Sequence, residues 1–119
     1  MRRVETPWGH EMVWAETDRY VGKVLHIRRG EKLTLRYHRE KDETLLVWAG
    51  SMRLTFFREG EAPQQRDLAP GETFHVTPGL RHHMQALEDC DVFEVSTTEV
   101  DDVIRLEGPH GHPASSTRP

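Results

Sequence analysis

The feature that most constrains this chain is an alternation of apolar and polar side chains running from about residue 20 to residue 105. Lys23, Leu25 and Ile27 alternate with Val24, His26 and Arg28, and Leu33, Leu35 and Tyr37 with Thr34, Arg36 and His38. The same rhythm continues through Leu45, Val47 and Ala49, Met52, Leu54 and Phe56, Phe74 and Val76, His82, Met84 and Ala86, and Val92, Glu94 and Ser96. A period of two puts successive side chains on opposite faces and marks half-buried strands. No segment of helical length carries a period of 3.6. Turn signals break the runs at short intervals: Arg29-Gly30, Ala49-Gly50, Pro70-Gly71, Pro78-Gly79 and Glu88-Asp89. Short strands so punctuated predict an all-β sandwich or barrel. The polar stretch 58–67 reads as a surface loop between two hairpins, and the composition from Gly108 onward reads as a tail.

Length and charge narrow the function classes. A chain of 119 residues is one domain. Sixteen Lys and Arg against twenty Asp and Glu give a net charge of −4, and without a basic stripe this is a poor match to nucleic acid. No apolar run approaches the ~20 residues that cross a bilayer. The opening MRRVETPWGHEM lacks the apolar stretch of a secretory signal. The single cysteine, Cys90, excludes an intramolecular disulfide, and the acidic residues around it raise its thiol pKa, so a reactive thiolate is not expected. These features predict a cytoplasmic protein with no nucleic-acid and no membrane partner.

Two segments concentrate the chemistry. One runs from Gly30 through Arg36, His38 and Glu43 to Gly50; the other runs from Gly71 through Pro78 and Gly79 to His82. Arg36 and His38 share a strand face because they are two apart. Glu43 follows across a tight turn, and His82 opens a strand after the Pro-Gly turn. Two imidazoles and a carboxylate on one side of a barrel form a facial ligand set with open positions for water or substrate.

These segments resemble the two motifs of the cupin superfamily. Gly30, His38, Glu43 and Gly50 stand at the spacings of the first motif. Gly71, Gly79 and His82 match the second, with Pro78 one place later than the family's proline. Outside the motifs, Pro7-Trp8-Gly9, Lys23, the run GEKLTLRYH and the ending from Phe93 to Gly108 are similar to the cupin domain of type II mannose-6-phosphate isomerases, a domain also found joined to sugar-nucleotide pyrophosphorylases. The resemblance implies a single-domain cupin, the double-stranded β-helix or jelly-roll barrel, over residues 1–107, with a flexible tail at 108–119. It implies one divalent metal ion on His38, Glu43 and His82, with zinc expected first and manganese, iron or nickel also compatible. It also implies a small-molecule ligand, a sugar or anionic sugar derivative, and a homodimer whose contact lies near Trp8 to Trp14.

Two departures qualify the transfer of activity. Arg36 stands where the superfamily has a ligand histidine and the isomerase group a glutamine. A guanidinium offers only donors, so it cannot ligate. Either it turns from the metal to bind an anionic substrate group, or it occupies the metal's place and pairs with Glu43. The isomerase group's Tyr-Gly-Arg ending is also missing: Asp101, Asp102 and Arg105 match, but the chain continues Pro109-His110-Gly111-His112. The function expected is therefore a metal-dependent sugar or sugar-phosphate isomerase or epimerase. Glu94 or His26 is its base, and Arg36, Arg105 or Lys23 its anion holder. The alternatives are a non-catalytic sugar- or acid-binding cupin and a non-haem iron dioxygenase.

Other residues carry plainer expectations. His10, His26, His75 and His83 read as ordinary core or surface histidines, with His83 pointing opposite to His82. Residues 39–43 read as a solvated turn except for Glu43. Trp8, Trp14 and Trp48 read as core or interface. Glu94 reads as entering the barrel with Lys23 and Arg105 as salt-bridge partners.

Overall fold

The structure, a computed structural model, describes residues 1–99 and 101–106. The tail at 108–119, with His110 and His112, lies outside the described residues. Eleven strands and no helix are present among the described residues: β1 Arg2–Thr6, β2 Gly9–Glu16, β3 Val21–Ile27, β4 Lys32–Tyr37, β5 Glu43–Ala49, β6 Met52–Phe57, β7 Gln64–Leu68, β8 Thr73–Val76, β9 Arg81–Ala86, β10 Cys90–Ser96 and β11 Ile104–Arg105. They form two antiparallel sheets in the orders β1-β2-β3-β10-β5-β8 and β11-β4-β9-β6-β7. Buried side chains of both sheets, among them Ile27, Val47, Met52, Leu54, Met84 and Val92, make one core between them. This is the all-β, single-domain architecture that the alternation and the motifs predicted.

Two expectations need correction. The polar stretch at 58–67 is a loop only in its first part. From Gln64 onward the chain is strand β7, whose exposed Gln65, Arg66 and Asp67 pair with β6 at the sheet edge; an edge strand with one solvated face has no need of apolar residues. The pairing also begins earlier than residue 20, because β1 and β2 form a hairpin over Arg2–Glu16. A β-bulge between Val13 and Ala15 breaks the regular period in β2.

The inward positions of four strands run from apolar to polar toward the same end of the barrel. β5 goes from Val47 and Leu45 to Glu43, and β9 from Ala86 and Met84 to His82. β10 goes from Val92 to Glu94 and Ser96, and β4 from Leu33 toward Arg36, with His38 just beyond. The antiparallel registers Val92↔Val47, Ser96↔Glu43, Leu33↔Met84 and Arg36↔His82 align these gradients. One end of the barrel is thus an apolar floor, and the other gathers the polar groups.

A β-bulge makes the β4 gradient work. Three steps on β4, from Leu33 to Arg36, face two on β9, from Met84 to His82. The extra residue reverses the parity, so buried Leu33 and the cavity-lining Arg36 share the inner face although they are three apart. Strict alternation would have put them on opposite faces.

Tight turns at two glycines test the fold. Gly50 has φ +79°, and a Cβ there would fall against the Asp89 carbonyl oxygen and lie 2.8 Å from the Cys90 Cβ. Gly30 has φ +84° with nothing within 4 Å of the added atom. Gly30→Ala should cost about 1 kcal/mol, the left-handed conformation alone, whereas Gly50→Ala should cost about 3 kcal/mol or more because backbone must also shift. Urea unfolding of the two variants measures the difference.

Candidate metal centre

His38, Glu43 and His82 converge at the polar end of the barrel, all three buried, with their ligand atoms within 4.8 Å of one another. His38 leaves the end of β4, Glu43 opens β5 and His82 lies near the start of β9. The His38 Nε2 is 3.5 Å and the His82 Nε2 3.9 Å from the Glu43 Oε2.

The orientation of both rings is set by backbone. His38 Nδ1 is 2.7 Å from the carbonyl oxygen of Asp102, and His82 Nδ1 is 2.9 Å from that of Leu80. A carbonyl only accepts, so each Nδ1 carries the proton and donates it. Each ring then turns its Nε2 toward Glu43: a lone pair there in the neutral ring, a donor to the carboxylate where His38 Nε2 carries a proton. Burial pushes the His82 pKa down to about 4, so this imidazole is neutral at pH 7. Burial works against the Glu43 charge, but the His38 imidazole and the Lys41 ammonium beside it outweigh burial and hold the carboxyl well below the usual carboxylate range. Two imidazole nitrogens and one carboxylate oxygen thus face a common point, and the outer nitrogens are anchored as those of metal-ligating histidines are. The donor set fits a divalent transition ion.

The turn that presents His38 and Glu43 is tied down by Asp102. Its carboxylate accepts hydrogen bonds from the backbone N–H groups of Arg39, Glu40 and Lys41 at 3.2, 2.6 and 3.0 Å, while its carbonyl takes the His38 proton. The N–H of Gly79 donates to the His38 carbonyl at 2.6 Å, linking this turn to the one before His82.

Lys41 overturns the reading of 39–43 as a solvated turn with a single exception. Arg39 and Glu40 are exposed, but Lys41 is only 4 % exposed. Its ammonium lies 3.1 Å from Glu43 Oε1 and 3.1 Å from Glu94 Oε2. Burial opposes its charge, yet Glu94 and Glu43 raise its pKa above the ordinary lysine value. Glu94 does enter the barrel as expected, but Lys41 is its ion-pair partner. Lys23 pairs with Glu11 at 3.0 Å instead, because Glu11 on β2 reaches it first. Burial and then the charge of Glu43 push the Glu94 pKa up to about 6. One buried ammonium against two buried carboxylates leaves a negative excess at the ligand point, a second reason that a cation fits there. No spacing rule distinguishes Lys41 from its charged neighbours; its burial depends on β10 bringing Glu94 opposite.

The remaining sequence-selected residues divide by face. Glu94, Arg36, Arg105 and Lys23 line the same cavity of about 250 Å³ as His38, Glu43 and His82, together with Trp8. His26 does not. It pairs across β3 with His10 and Asp91 while its neighbour Leu25 faces the core, so it lies on the outer face, 2.7 Å from the Asp91 carboxylate and stacked on His10. His75 pairs with Asp42 at 2.6 Å and is exposed. His83 lies opposite in parity to His82, beside Phe57. Trp14 and Trp48 are about half exposed or more, at 49 % and 64 %, and only Trp8 reaches the core. Cys90 is free and buried, its pKa raised to about 11 by burial and then by Asp91 and Asp89. Among the described residues no helix is long and apolar enough to cross a membrane.

Arg36 resolves one sequence alternative. Its guanidinium does not pair with Glu43. The Nε donates to the Thr34 carbonyl at 3.0 Å, and Nη2 reaches the Thr34 hydroxyl at 3.5 Å.

Comparison with known proteins places this geometry. Residues 1–108 match the family described as mannose-6-phosphate isomerase C-terminal. The chain is 30 % identical over 115 residues to mannose-1-phosphate guanylyltransferase ManC of Salmonella typhimurium, covering 92 % of this chain and 23 % of that protein. It is 28 % identical, with the same coverage, to the mannose-1-phosphate guanylyltransferase of Escherichia coli; the chain spans less than a quarter of these relatives. Among solved structures, KdgF from Halomonas sp. superposes with a TM-score of 0.72 at 24 % identity, over 83 % of this chain and 89 % of that one. A cupin-2 domain containing protein from Shewanella frigidimarina gives a TM-score of 0.61 at 25 % identity, over 71 % and 76 %.

The anchoring roles are testable. Asp102→Ala keeps the carbonyl that accepts from His38 but removes the cap of the turn at 39–41, and should lower metal affinity about tenfold, the low end for loss of supporting contacts, measured by competition against a chelating dye. Lys41→Met should cost about 3–5 kcal/mol by stranding two buried carboxylates, and Lys41→Met with Glu94→Gln should cost less than Lys41→Met alone, both read by urea unfolding.

Proposed function

The chain belongs to the mannose-6-phosphate isomerase C-terminal family, and from that premise we propose that it is a metal-dependent isomerase or epimerase acting on a sugar or anionic sugar derivative. The observation that carries this reading is the convergence of His38 Nε2, His82 Nε2 and Glu43 Oε2 in a cavity whose wall also holds Glu94. A divalent ion on His38, Glu43 and His82, zinc being the first expectation, would act as a Lewis acid toward the oxygens of a neighbouring carbonyl and hydroxyl.

The chain's own residues supply the rest. Glu94 is the base. Its pKa of about 6 keeps it largely ionised at pH 7 yet able to hold a proton. It takes the proton from the hydroxyl-bearing carbon beside the carbonyl and returns it to the carbonyl carbon, while the hydroxyl proton passes to the former carbonyl oxygen, so the C=O moves by one carbon and no atom is gained or lost. Lys41 holds the Glu94 carboxylate toward the cavity by their ion pair. Arg36 and Arg105 orient an anionic group of the substrate, while the floor of Leu25, Leu33 and Met84 keeps water from the reacting carbons. His26 is replaced as a candidate base by its outward position.

A second reading rests on one observation. Lys41 already contacts the ligand carboxylate of Glu43, so the triad also suits a metal-free module that binds a small acid without turning it over.

The two readings separate on metal and exchange. Plasma mass spectrometry of untagged protein should find about one divalent ion per chain, with His38→Ala and His82→Ala reducing it sharply; a metal-free protein that stays so after metal addition favours the binding module. Solvent deuterium should enter a turned-over sugar substrate, and Glu94→Gln should slow that exchange about 10²- to 10⁴-fold with metal content unchanged.

A further inference from the structure

We infer that the ligand of this site carries its carboxylate on the carbon next to the oxygen it presents to the triad, as in a 2-hydroxy or 2-oxo sugar acid, and not a phosphate at the far end of a sugar. The inference rests on the proposed function and narrows its substrate class. It starts from a single cross-strand row, in which Arg36 of β4 pairs directly with His82 of β9 on one side and with Arg105 of β11 on the other. Neighbouring strands lie about 4.8 Å apart, so the Arg36 backbone is one strand step from a triad ligand and that of Arg105 two. All three side chains line the same cavity.

Two like charges directly opposite each other on an antiparallel pair are destabilising. Here neither guanidinium has a carboxylate within 4.0 Å among the described residues, and Glu43, Glu94 and Glu11 offset the charge of Arg36 only from farther off. Arg36 is nevertheless held in place. Its Nε donates to the Thr34 carbonyl and Nη2 reaches the Thr34 hydroxyl, while Nη1 has no hydrogen-bond partner among the described residues. A preset, unpaired guanidinium beside a second one is a planar donor surface suited to a carboxylate.

Its place next to His82 decides where on the ligand that carboxylate sits. A ligand that puts an oxygen at the triad and its anionic group on Arg36 bridges neighbouring strands within one cavity, so the two groups must lie close together on it. A 2-hydroxy or 2-oxo acid meets this condition, since the carboxylate is bonded to the carbon that bears the oxygen. In a hexose 6-phosphate the anion hangs from the opposite end of the chain. The cavity of about 250 Å³ also sits below the range of about 300–1,000 Å³ common for ligand pockets, which favours the more compact ligand.

The test compares two probes of one carbon skeleton, mannonate and mannose 6-phosphate, on protein loaded with cobalt(II). Calorimetry gives affinity, and the visible cobalt bands report whether the probe reaches the metal. Mannonate should bind at least about tenfold more tightly than mannose 6-phosphate and shift the bands. Arg36→Gln and the exposed Arg105→Gln should each weaken mannonate about 10- to 100-fold, the scale of a lost charged hydrogen bond, with cobalt stoichiometry unchanged. Equal or tighter binding of mannose 6-phosphate, or mannonate binding indifferent to both substitutions, overturns the inference. If cobalt does not bind at all, the metal reading falls separately. Mannonate titrated into the metal-free protein then decides the clamp: Arg36-dependent binding supports it, and no binding overturns it.

Discussion

An ammonium and two carboxylates buried at one end of a small barrel would cost several kcal/mol per ion if left apart. Lys41 lies 3.1 Å from both Glu43 and Glu94, so every charge has an opposite neighbour although the one ammonium does not balance both carboxylates. The rest of the polar end depends on this cluster. Glu43 can stay ionised beside two histidines because Lys41 and His38 stabilise its charge against burial. Glu94 stays in the cavity wall because Lys41 holds it, and its pKa rises because it is buried and because Glu43 is near. The cluster spans the turn before β5 and the middle of β10, which also ties the ligand-bearing turn to the sheet.

Around that cluster the structure separates neutral from charged tasks. The two imidazoles are fixed through their outer nitrogens by the backbone carbonyls of Asp102 and Leu80, so their inner nitrogens need no side-chain partner and remain available. Asp102 does double duty, since its carboxylate also caps the turn at 39–41. The arginines sit one and two strands away from His82, where they charge the cavity positively without competing for the ligand point. A negative ligand point beside a positive wall is the electrostatic pattern that a metal and an anionic ligand would each complete.

Much of this was legible in the chain. The period of two and the Gly and Pro turns declare the strands, and the spacings of His38, Glu43 and His82 declare the set that the fold brings within 4.8 Å. Those signals are local, and local signals survive without tertiary information. What stayed hidden required knowing which strands neighbour each other. The face of His26 was ambiguous because both its neighbours, Leu25 and Ile27, and its own parity partners included apolar residues. Lys41 looked like its exposed neighbours Arg39 and Glu40 because burial of a lysine depends on carboxylates far away in sequence.

The amino-acid order by itself determined the all-β class, the turns and the three residues of ligand type, because periodicity, left-handed glycines and motif spacing act over a few residues. Only the tertiary structure decided which charges meet. The bulge in β4 set the face that Arg36 shares with Leu33, and the pairing of β11 with β4 set Arg105 beside Arg36. The packing of β10 against β5 carried Glu94 to Lys41. Each of these is a contact between residues distant in the chain, so its energy appears only once the sheets have closed around their common core.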